Sequence, residues 1–311
     1  MYKRVEVHRE VYTERTRSLE DRDNYLLKLS AIVPENSYLV SGAMPLELPN
    51  IENVLQKIKQ IKSKDIKIEE IESIVKQISL IKHNRQKITI PYINNRYFIP
   101  GSTIKGAVRS RVEYKLMPKN SVCYSCYRIE EDFDPRYAIN HMRFWGEKVT
   151  IPRGMCNAMK HDNVCIICDI FGAPALSSLV NFSDAVMQKG DIERLSELNV
   201  DAIKPNSRFT LEISCLNMDY IRLGLLFLGL ELFSNSPIIL GMFKYRFNPK
   251  LGKLFRNKYA IGLLKFELEK VIDSNNNEHN PNDFINRAKE ELEKSTINEY
   301  IEWECGVIKD Y

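Results

Sequence analysis

The cysteines are the residues in this 311-residue chain whose spacing most clearly predicts chemistry. Cys123 and Cys126 form one Cys-x-x-Cys pair, in "VCYSCY", and Cys165 and Cys168 form a second pair, in "VCIICDIFG". Two residues between the cysteines allow both thiolates to bind one ion, and two such pairs complete a tetrahedral site. The spacing therefore predicts a structural Zn²⁺ bound by these four cysteines. Such an ion stabilises the loop that carries it and leaves no open position for catalysis.

Other donors lie between the two pairs and leave the ligand set open. Cys156 and His161 give a competing set with Cys165 and Cys168, and His141 is a further donor. Reduced, buried cysteines without a metal are the alternative interpretation, but two pairs at this spacing favour a metal. A disulfide framework is not expected, because the N-terminus lacks the apolar centre of a secretory signal.

Acidic residues are absent from two long basic windows. No Asp or Glu stands between Glu72 and Glu113, or between Glu231 and Glu267. The cations in these windows include Lys76, Lys82, Arg85, Lys87, Arg96, Lys105, Arg109, Arg111, Lys244, Arg246, Lys250, Lys253, Arg256 and Lys258. The aromatic residues among them include Tyr92, Tyr97, Phe98, Phe243, Tyr245, Phe247 and Phe255. Cations neutralise phosphates and aromatic rings stack on bases, so the windows predict RNA binding. The alternative is a solvated basic face with the aromatic side chains in the core.

A turn and a helix start in the first window, "FIPGSTIKGAVRS", add geometry to this charge. Gly101 lets the backbone turn, and Ser102 or Thr103 is expected to cap the helix. The first amides of a helix and its dipole attract an anion. Lys105 and Arg109 are four residues apart and so share one helical face. The pattern predicts that this helix start holds a phosphate.

The elements that position these residues mix strands and helices. Strand patterns occur in "NYLLKLSAIVPENSYLVSG", "KITIPYINNRYFIP" with a turn at Asn94-Asn95, "LVNFSDAVM", "SRFTLEISCL" and "YAIGLLKFELEKVI". Helical patterns occur as a hairpin within 51–81, in "YIRLGLLFLGLELFSNS" and in the closing "NDFINRAKEELEKSTINEYIEW". Because strands and helices do not alternate strictly, an α+β fold is favoured over a doubly wound sheet. No apolar run reaches the length that crosses a bilayer, so a soluble, cytoplasmic protein is expected.

Three stretches together resemble a known family. In order, "FIPGSTIKGAVRS", "CIICDIFGAPALSSLVNFSDA" and "LGMFKYRFNPKLGK" resemble the three recurring motifs of the RAMP superfamily, the RNA-binding subunits of CRISPR effector complexes. The resemblance covers residues 24–270. It implies an RRM-like (ferredoxin-like) core with a helical insertion at 50–85 and a Cys-rich zinc insertion at 118–168. A C-terminal helical extension at 271–311 would follow this core.

The resemblance also implies the residues that bind RNA. Ser102, Thr103, Lys105, Gly106 and Arg109 would hold the backbone of a guide crRNA. The glycine-rich loop would contribute Gly241, Lys244, Arg246 and Gly252, although Phe247 stands where a glycine is usual. The implied partners are guide crRNA, target RNA and the other Cas subunits of a type III effector complex.

Catalysis is less strongly indicated. Many type III backbone subunits cleave target RNA with an Asp in the loop after the first strand, whereas "VSGAMPLELPNIENV" contains only Glu47 and Glu52, and Asp65 lies beyond it. A subunit that does not cleave RNA is therefore expected, with His8 and His83 as the acid/base candidates if precursor RNA is processed. The alternatives are an RNA-cleaving backbone subunit of the same complex and a free-standing zinc-containing RNA-binding adaptor.

Overall fold

The computed structural model describes residues 3–9, 11–12, 23–41, 44–45, 88–94, 96–127, 149–150, 155–160, 162–195, 200–242 and 260–303. Several predicted features lie outside these residues. They are the helical insertion at 50–85, the candidate metal donors His141 and His161, the carboxylates Glu47, Glu52 and Asp65, His83, and the loop residues Lys244, Arg246, Phe247 and Gly252.

The strands of the first half are mostly short. In chain order they are β1 (Lys3–Arg4), β2 (Glu6–Val7), β3 (Val11–Tyr12), β4 (Asp23–Ile32), β5 (Ser37–Tyr38), β6 (Met44–Pro45), β7 (Ile88–Thr89), β8 (Tyr92–Ile93), β9 (Arg96–Ile99), β10 (Val122–Cys123) and β11 (Val149–Thr150). The second half contains β12 (Asn163–Val164), β13 (Val180–Phe182), β14 (Ala185–Lys189), β15 (Ile192–Leu195), β16 (Val200–Ile203), β17 (Arg208–Met218), β18 (Ile238–Ile239), β19 (Ala260–Ile261), β20 (Leu263–Asp273) and β21 (Glu278–His279).

Four α-helices lie in the described residues: α1 (Gly101–Lys115), α2 (Ile166–Phe171), α3 (Tyr220–Gly229) and α4 (Pro281–Lys294). A 3₁₀ helix, Thr296–Tyr300, follows α4. Helix α3 ends earlier than its apolar pattern predicts, because Leu230 closes it and Glu231 turns into the left-handed region at φ 58°. No helix in this part of the chain is long and apolar enough to cross a membrane.

The main sheet has the strand order that a ferredoxin-like unit requires. Its path is β18-β20-β4-β17-β14-β9-β8, and all neighbours are antiparallel. The long elements follow one another along the chain as β4, α1, β14, β17, α3 and β20. Their order across the sheet is β20, β4, β17 and β14. This is the fourth, first, third and second strand of the unit in chain order, as in a βαββαβ unit. The fold is therefore mixed α and β, in agreement with the predicted class.

Alternating apolar residues explain why the central strands bury one face. Leu27 and Leu29 of β4 are buried and pair in register with Ile213 and Leu211 of β17. Side chains two residues apart lie on the same face of a strand, so these four form one apolar layer. Helices α1 and α3 contribute buried residues to the same core. This layer fixes the register of β4, because a slip of one residue would expose its apolar set.

The closing helix belongs to the same core. Phe284, Ala288 and Leu292 of α4 are buried at helical spacing and join the main apolar cluster. The backbone of Ala288 lies so close to Gly224 of α3 that a Cβ there would meet its carbonyl oxygen at 2.8 Å. Asn280 caps α4 by accepting hydrogen bonds from the backbone amides at its start. The C-terminal segment therefore packs directly on the ferredoxin-like unit.

Candidate functional site

Four buried cysteines converge at helix α2, one of them within the helix. They are Cys126, Cys156, Cys165 and Cys168, and their sulfur atoms all lie within 4.8 Å of one another. The Sγ atoms of Cys126 and Cys168 are 3.4 Å apart. Four thiolates at about 2.3 Å from a tetrahedral Zn²⁺ would have their sulfurs about 3.8 Å apart, so this arrangement fits such an ion.

The cluster differs from the predicted set by one residue. Cys156 lies beside Cys126, Cys165 and Cys168, where the paired spacing had placed Cys123. Cys123 is also buried, but its Sγ lies 3.2 Å from the carbonyl oxygen of Ser125. The physical reason is that Cys123 belongs to the short strand β10, whose position is fixed by pairing with β2. The sequence signal for Cys156 was its place between the two pairs.

Ionisation of the thiols does not decide between the two ligand sets. Burial raises the pKa of Cys123 to about 12, so this thiol stays neutral near pH 7. Hydrogen bonds from Cys126, Cys165 and Cys168 lower the pKa of Cys156, whereas burial raises the pKa of Cys165 in the same cluster. The thiolate is the form of cysteine that binds metal. The choice of Cys156 over Cys123 therefore rests on the position of its sulfur atom.

The start of helix α1 holds an anion supplied by the protein itself. The helix begins at Gly101 after Pro100, and no side chain of its own first turn caps it. Asp184 instead accepts a hydrogen bond from the Gly101 amide, with N and Oδ1 2.8 Å apart. The expected capping by Ser102 or Thr103 is wrong, because the helix starts one residue before them. Asp184 belongs to the "NFSDA" stretch, so the Ser-Asp motif was the signal for this contact.

Gly101 is required by close packing against the same segment. A Cβ at this position would collide with the carbonyl oxygen of Phe182 and would lie 2.5 Å from that of Ser183. The glycine thus lets the segment before β14 lie directly on the helix start. Gly101 therefore allows two backbone segments to approach each other closely, whereas the sequence predicted only that it lets the backbone turn.

Arg109 points into the interior rather than towards solvent. Its side chain is 3% exposed, and its Nε donates to Glu113 Oε1 at 2.9 Å. Its Nη1 donates to the carbonyl oxygen of Gly172 at 2.7 Å, and its Nη2 lies 3.2 Å from Cys168 Sγ. Burial lowers the pKa of this guanidinium, but Glu113 and Cys168 raise it by more, so the group stays charged. Arg109 therefore connects α1 to the cysteine cluster.

Two further cations of α1 are also used internally. Arg111 and Lys115 both form buried ion pairs with Glu231, which follows α3. The Lys115 Nζ to Glu231 Oε2 distance is 2.9 Å. Glu113 ends the first acid-free window and Glu231 begins the second. These two acids neutralise Arg109 and Arg111, which are cations of the first window. The basic window is consequently less positive in space than along the sequence.

Lys105 lies on the wall of a cleft beside the cysteine cluster. The cleft has a volume of about 470 Å³. Its lining consists of Lys105, Arg109, Met155, Cys168, Phe171, Gly172, Ala173, Pro174, Leu176 and Ser178. The Lys105 ammonium donates to Ser178 Oγ at 2.5 Å and to the Val180 carbonyl oxygen at 3.0 Å. Among the candidate RNA contacts that the structure describes, Lys105 and Arg109 are thus the cations that line this cleft, and Lys105 is the less buried of the two.

Among the described residues, Gly106 has no packing partner that would explain it. It is exposed in the interior of α1, and beyond the adjacent backbone of the helix itself no described atom lies within 4 Å of where its Cβ would be. A glycine inside a helix costs about 0.5–1 kcal/mol relative to alanine. By contrast, Gly229 of α3 faces Val112 of α1, whose Cγ2 would be 2.5 Å from an added Cβ. The bare surface at Gly106 therefore leaves room for a group from outside the chain.

Aromatic rings lie on the hairpin that leads into this helix. β8 and β9 pair as an antiparallel hairpin whose turn includes Asn94 at φ 49°, so the predicted turn is confirmed. The rings of Tyr92 and Tyr97 are 4.8 Å apart, and Tyr92 is 50% exposed. Arg96 is exposed between them along the chain. A partly exposed ring pair near a cation is suited to stacking on a base.

Gly241 is the member of the predicted glycine-rich loop that the structure describes. Its φ is +91°, and a Cβ there would collide with the carbonyl oxygen of Val40. Val40 also accepts a hydrogen bond from the Met242 amide, with N and O 2.8 Å apart. The glycine is therefore needed by the fold at the point where this loop begins.

Comparison with known proteins places the chain in a family. No curated protein matches it. Among solved structures it is similar to a chain of the Csm3-Csm4 subcomplex of a type III-A CRISPR-Cas interference complex, with 14% sequence identity and a TM-score of 0.40. That match covers 88% of this chain and 97% of the other. The family model of the RAMP superfamily matches residues 83–300, which include α1, the cysteine cluster and every named strand of the main sheet except β4. The chain belongs to the RAMP superfamily.

Proposed function

We propose that this chain is an RNA-binding subunit of a type III CRISPR-Cas interference complex, which binds guide crRNA and packs against neighbouring Cas subunits. Membership in the RAMP superfamily supports this, as does the order of the three motifs that resemble those of CRISPR effector subunits. The observation that carries the RNA-binding proposal is the surface of α1, where bare Gly106 adjoins Lys105 at the mouth of the cleft.

The RNA backbone would lie along this surface. A phosphate oxygen can replace Ser178 as the acceptor of the Lys105 ammonium, because a lysine amine rotates freely among acceptors. Gly106 would let the sugar-phosphate chain approach the helix backbone. Ser102 and Thr103 belong to the same helix start and would donate from their hydroxyls. The Tyr92 ring would stack on a base that leaves the backbone path.

The other predicted contacts divide into two groups. Lys244, Arg246 and Gly252 remain proposed members of the basic loop that starts at Gly241. Arg109 is not among the proposed RNA contacts, since its guanidinium is buried and donates to three acceptors of the chain itself. Target RNA is proposed as a further partner, paired to the guide.

The cysteine cluster is proposed to bind a structural Zn²⁺. Cys126, Cys156, Cys165 and Cys168 would be the four ligands, and the ion would hold together the loops that form one wall of the cleft. Four protein thiolates leave no position for substrate, so the ion would act on stability and shape.

Binding of labelled single-stranded guide RNA to the purified chain tests the RNA-binding surface. Lys105→Ala and Gly106→Gln should each weaken binding, and Lys105→Ala should lower the salt slope of log K by about 0.7–1, as for one lost phosphate contact. Lys289→Ala, on α4, is the matched control and should bind as the parent does. Unchanged affinity in both α1 variants would contradict the proposed surface.

Purification of the chain from its own cells tests the assembly. Repeat-derived guide RNA and other Cas proteins should travel with it. An RNA-free monomer without Cas partners would instead indicate a free-standing adaptor.

A further inference from the structure

The role of Arg109 extends beyond joining two loops. Its Nη2 contacts Cys168, which begins the last turn of α2, and its Nη1 contacts the carbonyl oxygen of Gly172, which is the C-cap residue of that helix. The Gly172 amide in turn donates to the Cys168 carbonyl oxygen at 2.9 Å. One guanidinium therefore holds both ends of the turn that carries a cysteine of the cluster.

The charge of the cluster makes this contact significant. One divalent cation and four thiolates sum to a net charge of about −2, in a site whose sulfur-bearing residues are all buried. Buried charge is costly unless an opposite charge and hydrogen bonds compensate it. Arg109 brings a full positive charge to 3.2 Å from one sulfur. A second, neutral donor is the Cys165 amide, 3.4 Å from Cys156 Sγ.

The geometry suits arginine specifically. Three acceptors lie around the guanidinium in different directions: a carboxylate, a carbonyl oxygen and a sulfur. A planar fork of N–H groups can serve all three at once, whereas a lysine ammonium is a point charge on a flexible stem. Glu113, four residues after Arg109 on the helix, accepts from Nε and so holds the fork in place.

We infer that Arg109 is the positioning residue of the metal centre, which donates an N–H to the Cys168 thiolate, offsets part of the charge of the four thiolates and thereby raises the affinity for the metal. This inference rests on the proposed Zn²⁺ site. It assigns the conspicuous arginine of the helix motif to the metal rather than to RNA. Mutation of a residue that hydrogen-bonds a metal ligand, without binding the metal itself, typically lowers metal affinity by about 10–100-fold.

The test compares two arginines of the same helix. Zn²⁺ affinity is measured by competition with a chromophoric chelator for the parent chain, Arg109→Gln, Arg109→Lys and Arg111→Gln. Arg111 is the matched control, because it is likewise buried in α1 and its ion pair is with the carboxylate of Glu231. Arg109→Gln should weaken Zn²⁺ binding by about 10–100-fold and Arg109→Lys by less, while Arg111→Gln should stay within about threefold of the parent.

A spectroscopic measurement separates positioning from general loss of stability. With Co²⁺ as the probe, the sulfur-to-metal charge-transfer band should shift in Arg109→Gln, because an N–H donor to a thiolate changes the energy of its lone pairs. The band should not shift in Arg111→Gln. Equal Zn²⁺ affinities and equal Co²⁺ spectra in the Arg109 and Arg111 variants would overturn the inference. Failure of the parent chain to bind either metal would instead overturn the metal site itself.

Discussion

Replacement of Asp184 tests whether the start of α1 holds the protein's own carboxylate. Asp184→Ala removes the acceptor that lies 2.8 Å from the Gly101 amide. Gly101 is buried, so in this variant its amide would lack a hydrogen-bond acceptor where water has little access. Loss of such a cap costs about 1–2 kcal/mol. Asp184→Asn keeps an amide oxygen in place and loses only the favourable charge at the helix start, which is worth about 0.3–1 kcal/mol.

Thermal unfolding followed by circular dichroism measures this effect. At about 2–4 °C per kcal/mol for a domain of this size class, Tm should fall by about 2–8 °C in Asp184→Ala and by about 1–4 °C in Asp184→Asn. RNA affinity should not fall in either variant, because the carboxylate occupies the amide that a phosphate would otherwise use. An unchanged Tm in Asp184→Ala would refute the capping role. A fall in RNA affinity without a fall in Tm would show that Asp184 belongs to the RNA site.

Two further predictions concern the cysteines and the glycines. Cys156→Ser should lower the zinc content of the purified chain, measured by mass spectrometry, from about one ion per chain to almost none. Cys123→Ser should leave the zinc content unchanged. The opposite result would restore the ligand set predicted from the sequence. Gly229→Ala should destabilise the fold by about 1–3 kcal/mol in urea unfolding, because the new methyl group meets Val112, whereas Gly106→Ala should stabilise it by about 0.5–1 kcal/mol. Equal effects of these two substitutions would show that α1 and α3 do not pack as described.

The sequence predicts the sheet well because its strands carry a strong local signal. Leu27 and Leu29 stand on either side of the polar Lys28, and in the partner strand Leu211 and Ile213 alternate with polar residues. Alternation decides which face is buried and therefore the register. The family resemblance added the order of strands, which alternation alone does not contain.

The candidate site was harder to predict because its contacts join distant parts of the chain. Arg109 stands on a helix face with Lys105, and the sequence gives both the same role. Both line the cleft, but the structure gives them different contacts, since the buried Arg109 donates to Cys168 whereas the half-buried Lys105 donates to Ser178. Pairings such as Arg111 with Glu231 span 120 residues and leave no local pattern.

The choice between Cys123 and Cys156 shows the same limit. The Cys-x-x-Cys spacing is a local rule, and it correctly brings Cys126, Cys165 and Cys168 together. Whether the fourth thiol comes from the strand-bound Cys123 or from Cys156 depends on pairing with an N-terminal strand. That pairing is a tertiary contact of two residues, too short for a sequence pattern to reveal.

The position of β4 in the sheet has a consequence for synthesis of the chain. This central strand ends at Ile32, but its two neighbours begin only at Arg208 and Leu263. At about 5–20 residues per second, a ribosome needs about 10–50 s between completing β4 and completing the start of β20. Until β17 has been synthesised the apolar strand has no partner on either edge, and until β20 follows it has a partner on one edge at most. We therefore expect the nascent chain to depend on chaperones until its last third has emerged, and the proposed guide RNA and metal ion to bind only afterwards.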